Sequence, residues 1–368
     1  MKLKQKLAIG LVSLGIAGHA YFAQPRIGAP EPAFGPAPAL ARKAASYDAS
    51  TDPFVADAGI KAITKKAKSG SPLESAKKLH ELMNVNATGG LKLSSSGSGT
   101  RDDRPPRTAA ETLKLGGDCS DHANFMIAAM QEMGVQSGIV ILDLGGGLMH
   151  ILPYAQIGDS KHIVDSQSDE FGMGAVEVKG QRLEFTYEQV RENTSGVRFF
   201  RESPYPLAGG SYHVKWGNHL KGLKGKEKEA LAAFTEALRR DPQDSYAAKQ
   251  VDNIKGRLVN KLVQQAMTAY NKAEIIRKKA QKTNDKAELE KAVGIFKQAA
   301  DLFEEAILFY PKSGGKDNLI AVLEGAAVCR FNSGGYGKAA EHYEALYRLT
   351  KDEKYKAEAE GARKKAKE

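Results

Sequence analysis

The chain has 368 residues, of which 42% are hydrophobic, and this allows two or three domains with ordinary buried cores. Its formal net charge is +10, and most of the excess lies in residues 224–368, which contain 29 Lys and Arg against 22 Asp and Glu. A surplus spread along helices is typical of a solvated face, and basic and aromatic residues do not interleave as a nucleic-acid platform requires. Composition therefore argues against a nucleic-acid-binding protein.

The N-terminal residues predict export. Lysines at positions 2, 4 and 6 precede an apolar stretch over residues 7–17, and small residues follow at Gly18-His19-Ala20. This order is typical of a signal peptide, and the apolar run is shorter than the ~20 residues that span a bilayer. We predict a signal peptide or retained membrane anchor over residues 1–23, a Pro/Ala-rich linker over 24–50, and a periplasmic or envelope-associated protein.

Residues 51–210 predict an α+β domain in which helices come first and strands follow. Apolar spacing, capping residues and glycine stops predict helices over 56–68, 71–83, 108–115 and 119–133. A Ser/Gly-rich loop over 91–107 separates the second helix from the third, and Gly145-Gly146-Gly147 marks a turn between strands. Strands are predicted over 138–144, 148–157, 161–164, 175–178, 182–185 and 197–200. The order favours an antiparallel sheet.

Residues 211–368 predict an all-α domain with an internal repeat. Small, aromatic and proline residues recur at the same spacing in two segments and, in part, in a third: Gly225, Ala230, Phe234, Ala237 and Pro242; Gly294, Ala299, Phe303, Ala306 and Pro311; Gly334, Tyr336, Ala339 and Tyr343. The pattern resembles the tetratricopeptide repeat, a helix pair in which small residues admit close approach. A charged helical stretch over 245–285 breaks the period, and a generic helix bundle is the alternative.

The chemical signal lies at Cys119, where a glycine turn runs into an amphipathic helix. Backbone N–H groups at a helix start favour an anion, so we expect this position to lower the pKa of the thiol. His150 and Asp165 follow at spacings that suit two successive strands. A thiol nucleophile, an imidazole that shuttles protons and a carboxylate that orients the imidazole together predict an acyl-transfer site.

Other residues near this site have alternative interpretations. Asp118 and Asp121 flank the cysteine, and we expect them to cap the helix. His162 is an alternative to His150 as the proton shuttle, whereas His122 lies within the helix, and His213 and His219 have no evident partner. Cys329 sits among apolar helical residues and predicts a buried free thiol rather than a disulfide with Cys119. The sequence lacks paired Cys-x-x-Cys or His-x-x-x-His ligands, so we expect no metal and no cofactor.

Three segments resemble the transglutaminase-like superfamily. They are Arg-Thr-Ala-Ala-Glu-Thr-Leu over 107–113, Gly-Gly-Asp-Cys-Ser-Asp over 116–121, and Ala-Ala-Met-Gln-Glu-Met-Gly-Val over 128–135. His150, in Met-His-Ile-Leu-Pro-Tyr, and Asp165, in Ile-Val-Asp-Ser, match the second and third positions of that family's triad. The resemblance covers about residues 105–170.

This resemblance implies a papain-like core with a Cys119–His150–Asp165 triad. The family often has an aromatic residue after the histidine, where Ile151 stands here, and its usual oxyanion donor is not identifiable. The implied activity is that of an exported cysteine peptidase or amidase acting through a Cys119 thioester on a protein or peptide. The alternatives are protein-glutamine crosslinking, or a non-catalytic envelope scaffold that binds a protein partner through its helical repeats.

Overall fold

A computed structural model describes residues 47–92, 105–145, 148–178 and 180–368. The predicted signal segment, most of the linker and the polar loop, and the Gly146-Gly147 turn lie outside these residues. The four helices predicted in the first half are present within two residues of their predicted ends: α1 (Ala58–Ala67), α2 (Pro72–Met83), α3 (Ala109–Leu115) and α4 (Cys119–Glu132). Each begins at a side-chain N-cap, such as Ser71, whose oxygen accepts from the Glu74 N–H at 3.2 Å.

The strands form an antiparallel sheet and a separate antiparallel ribbon, which confirms the prediction of helices followed by antiparallel strands. The sheet has the order β3–β2–β1–β6 and the ribbon pairs β4 with β5. The elements are β1 (Ser137–Gly145), β2 (Leu148–Ile157), β3 (Ser160–Ile163), β4 (Met173–Val178), β5 (Gln181–Thr186), the short helix α5 (Tyr187–Arg191) and β6 (Arg198–Pro204). Strand β6 runs four residues beyond its prediction because it pairs with β1 as far as Gly138 opposite Pro204.

The two faces of the sheet are buried against different layers. Ile139 and Ile141 of β1 belong to a core with helices α1 to α4, whereas Val140 and Leu142 belong to a core with the β4–β5 ribbon. Successive residues of a strand face opposite sides, which explains this division. The sheet therefore lies between a helical layer and a ribbon layer.

The C-terminal part is helical, as predicted. Its helices are α6 (Gly209–Lys221), α7 (Glu227–Arg240), α8 (Ser245–Thr283), α9 (Lys286–Leu308), α10 (Lys316–Asn332), α11 (Tyr336–Thr350) and α12 (Glu353–Lys367). The charged stretch that breaks the repeat period is a single helix of 39 residues. In the part of the chain that the structure describes, no helix combines the length and apolarity needed to cross a membrane.

The chain divides into two compact units at residue 248, so α6 and α7 belong to the unit that contains the sheet. The sequence-based division placed these two helices with the repeats. In each unit an aromatic residue of the repeat pattern packs on a glycine of a neighbouring helix. A Cβ on Gly217 would lie 2.7 Å from the Phe234 ring, and one on Gly325 would lie 2.6 Å from the Phe303 ring. Only glycine permits such close approach.

Candidate functional site

The start of helix α4 is fixed by a glycine pair and a capping box. Gly116 has φ +71°, and a Cβ on Gly117 would lie 2.9 Å from Oδ2 of Asp121. Oδ1 of Asp118 accepts from the backbone N–H groups of Ser120 (3.0 Å) and Asp121 (3.2 Å), and Oδ2 of Asp121 accepts from the Asp118 N–H at 3.2 Å. The predicted capping roles of both aspartates are confirmed. Together these contacts make Cys119 the first residue of the helix.

The thiol of Cys119 has a raised pKa, which contradicts the expectation from its position at the helix start. Burial, the largest cause, and the charge of the Asp118 carboxylate together raise the pKa to about 12. That value already includes the hydrogen bond from the Ile151 backbone and the charge of Lys215, which both lower the pKa. The resting cysteine is therefore a protonated thiol at neutral pH.

His150 lies in β2 with its ring buried. Burial lowers the pKa of the imidazole, while the charge of Asp165 and a hydrogen bond to the Ala175 backbone raise it. The residue is 8% exposed, and Nε2 of the ring is buried without a hydrogen-bond partner. A buried ring nitrogen without a partner is costly, so its presence calls for an explanation.

Asp165 follows β3 and is almost wholly buried, at 2% exposure. Its Oδ1 accepts from the Gln167 N–H at 3.0 Å, and its Oδ2 accepts from the Ala175 N–H, also at 3.0 Å. These two bonds hold the carboxylate beside the His150 ring, where its charge raises the pKa of the imidazole.

The structure brings His150 and Asp165 together and joins Cys119 to the same strand at Ile151. The ladder pairs Ile151 with Ile141, on the helical face of the sheet, and His150 with Leu142, on the ribbon face. Among the described residues no hydrogen bond joins the Cys119 thiol to the His150 ring. Asp118 raises the pKa of both groups, so both lie within the field of one carboxylate.

Two of the remaining histidines have structural partners. His122, within helix α4, has Nδ1 2.8 Å from Oγ of Ser166 and Nε2 3.0 Å from the Lys92 carbonyl oxygen, and burial lowers its pKa. His162, the alternative in β3, stacks on the Phe171 ring at a centroid distance of 5.6 Å. Neither ring reaches toward Cys119 in the contacts that the structure shows.

The buried ring of His213 is expected to make the stability of the folded protein depend on pH. Nδ1 lies 3.0 Å from the Tyr47 hydroxyl, Nε2 has no partner, and burial lowers the pKa to about 4. Below pH ~6.5 His213 is protonated in the unfolded state, whereas in the folded state it stays neutral down to about pH 4. The free energy of unfolding therefore falls as the pH drops from 6.5 to 4. At pH 4 the lowered pKa of His213 reduces the free energy of unfolding by up to about 3 kcal/mol.

We expect a His213→Leu variant to lose less unfolding free energy than the parent between pH 7 and pH 4.5. Urea unfolding followed by circular dichroism at several pH values measures this difference. An equal loss in both proteins would contradict the assignment.

The two cysteines and the side chains that could bind a metal ion bear on the chemistry of the site. Cys329 is a buried free thiol, as predicted, and Cys119 is also free. Over residues 47–92, 105–145, 148–178 and 180–368, no three His, Cys, Asp or Glu side chains are grouped so as to hold a metal ion.

Sequence reasoning missed Lys215. Its Nζ lies 3.0 Å from Oγ of Ser120 and contacts Oδ2 of Asp118, although Lys215 and Asp118 are 97 positions apart. No local pattern signals a contact across that separation.

Comparison of the chain with protein-family models, with curated proteins and with solved structures found no match.

Proposed function

We propose that this protein is an exported, cysteine-dependent amide-bond enzyme with a transglutaminase-like, papain-like domain. In this proposal Cys119 is the nucleophile, His150 shuttles the proton and Asp165 orients the imidazole. The observation that carries the proposal is the buried Nε2 of His150, which has no partner although the ring lies beside a buried carboxylate and on the strand that contacts the cysteine. An unpartnered imidazole nitrogen is available to receive a proton.

The protonation states determine which mechanism fits. A thiol with a raised pKa and an imidazole with a lowered pKa are both neutral at pH 7, so a resting thiolate–imidazolium pair is not expected. The proposed route is general-base catalysis, in which Nε2 takes the thiol proton as sulfur attacks the carbonyl carbon. This requires a rearrangement that brings the His150 ring to the helical face of the sheet, because His150 pairs with Leu142 on the ribbon face, whereas the helix that begins at Cys119 packs on the helical face.

The chemical steps then follow acyl transfer. Sulfur forms a bond to the carbonyl carbon, the C–N bond breaks, and the protonated imidazole gives its proton to the leaving amine. The resulting Cys119 thioester is cleaved by water in a peptidase or amidase, or by a lysine amine in a crosslinking enzyme. The Cys119 backbone N–H, at the helix start, is the proposed donor to the oxyanion. We favour water as the acceptor.

A second candidate function is a non-catalytic binding protein. The specific observation in its favour is the Cys119 thiol itself, whose pKa of about 12 is that of an unreactive cysteine. In this alternative the C-terminal helices, which we propose to be tetratricopeptide-like, recruit a protein partner at the cell envelope, and the sheet domain is a scaffold.

Acyl trapping distinguishes the proposed amide-bond enzyme from the alternative, a non-catalytic binding protein. The full chain is incubated with p-nitrophenyl acetate, and release of p-nitrophenolate and the intact mass are followed. We expect a burst of one equivalent and an acetyl group at Cys119 that hydroxylamine removes, because a thioester is labile to that nucleophile. Peptide mass mapping locates the acetyl group.

The matched controls are the two cysteine variants. Cys119→Ala is expected to lose the burst, whereas Cys329→Ala is expected to keep it, because Cys329 lies in a buried helical core. A Cys119→Ala protein that retains the burst, or a parent protein without a hydroxylamine-sensitive adduct, would favour the scaffold.

A further inference from the structure

Lys215 joins helix α6 to the start of the cysteine helix. Its Nζ contacts Oδ2 of Asp118 and lies 3.0 Å from Oγ of Ser120 and 3.4 Å from Oδ1 of Asp121. The Lys215 side chain is 18% exposed, and that of Asp121 is fully buried. One ammonium ion is thus shared among three side chains at the start of α4.

The two oxygens of Asp118 have different partners. Oδ1 accepts from the N–H groups of Ser120 and Asp121, whereas Oδ2 contacts Lys215. The lysine therefore binds the oxygen of Asp118 that does not accept from these two N–H groups. Removal of the ammonium ion would take a positive charge away from this carboxylate, which lies beside the thiol.

Charges from each element packed on the thiol act in opposite directions. Asp118 and Asp121, on the cysteine's own helix, raise its pKa, and Lys215, on α6, lowers it. The Ile151 backbone of β2 also lowers it, and His150 of the same strand lies beside Asp165. The lysine is thus the cation that opposes two carboxylates at the nucleophile.

We propose that Lys215 is a positioning residue of the cysteine site, which holds the Asp118 carboxylate in its capping position and offsets the negative charge around Cys119. Its importance for catalysis rests on the proposed acyl-transfer function, but its effect on the thiol does not. Helix α6 is then part of the site rather than a neighbouring repeat element, since α6 and α4 share one compact unit.

The rate at which iodoacetamide alkylates Cys119 tests this proposal. The full chain carries Cys329→Ala so that one thiol remains, and rates are measured from pH 8 to pH 10. In the parent we expect the rate to rise about tenfold per pH unit without a plateau, because only the thiolate reacts. Lys215→Met is expected to lower the rate at least about threefold at each pH, because the pKa of the thiol rises when the positive charge is removed.

Three further variants separate charge from structure. Lys215→Arg is expected to restore the rate to within about twofold of the parent, because the positive charge returns. Lys224→Met removes the same charge from an exposed loop position and is expected to leave the rate unchanged. In an Asp118→Asn background, where the cap is kept, Lys215→Met is expected to have a smaller effect than in the parent.

Two results would overturn the proposal. One is a folded Lys215→Met protein with the alkylation rate of the parent or a higher one. The other is a loss of rate on Lys215→Met that is as large in the Asp118→Asn background as in the parent, because the lysine would then act without the Asp118 carboxylate.

Acetyl trapping at Cys119 is a separate readout. If Lys215→Met is alkylated more slowly but the parent forms no thioester, the positioning role of Lys215 is supported and the proposed enzymatic function is contradicted. If the parent forms the thioester but Lys215→Met is alkylated at the rate of the parent, only the positioning role of Lys215 is contradicted.

Discussion

Replacing His150 with leucine is expected to lower the rate of Cys119 acylation by about 10²–10⁴-fold, the usual contribution of a positioned acid–base group. The same change is expected to lower the free energy of unfolding by no more than about 1–2 kcal/mol, because it removes one hydrogen bond, to the Ala175 backbone, together with a buried Nε2 that has no partner. p-Nitrophenolate release and urea unfolding measure the two effects. A large loss of activity without a loss of stability is the signature of a group retained for function.

His122 provides the matched control. It is also buried, but both of its ring nitrogens have partners, Ser166 and Lys92. His122→Leu is expected to lower the free energy of unfolding by about 2–4 kcal/mol, because a hydroxyl and a carbonyl group lose their hydrogen bonds. If His150→Leu destabilises the fold as much as His122→Leu, and acylation falls only in proportion to the folded fraction, then His150 is structural.

Replacing Asp165 with alanine is expected to reduce both stability and acylation. The carboxylate is 2% exposed and accepts from the N–H groups of Gln167 and Ala175, so its removal leaves two donors without this acceptor. We expect a loss of about 2–5 kcal/mol in the free energy of unfolding. Urea unfolding measures this loss.

Asp165→Asn separates the negative charge from the hydrogen bonds. The amide oxygen keeps one acceptor, so the loss of stability should be smaller than for alanine. The charge that raises the pKa of His150 is absent, and acylation should fall in the folded protein. An Asp165→Asn variant with the acylation rate of the parent would exclude an orienting role for the carboxylate.

Much of the first compact unit is predictable from local sequence. The helix from Cys119 is marked by Gly116-Gly117 before it and by a capping aspartate, and both features act within a few residues. The strands of the sheet follow from apolar runs that are bounded by turns. The end of β6 at Pro204 could not be predicted in this way, because its pairing with Gly138 of β1 decides it.

The ionisation of the site is less predictable. The helix start favours a thiolate at Cys119, but desolvation and the charge of the neighbouring Asp118 raise the pKa of the thiol and prevail. The side of the sheet on which His150 lies follows from its register with Leu142, which the sequence of β2 alone does not determine.

The sequence by itself determined the order of elements, the helix that begins at Cys119, the capping aspartates and the buried free thiol of Cys329. The helix start and its caps depend on contacts between residues that are close along the chain, and the apolar residues next to Cys329 in sequence indicate its burial. Only the tertiary structure decided the raised pKa of Cys119, the effect of the Asp165 charge on His150 and the contact of Lys215 with Asp118. These depend on burial and on charges brought together from distant segments, because electrostatic free energies are set by the distance and solvent exposure of groups in space.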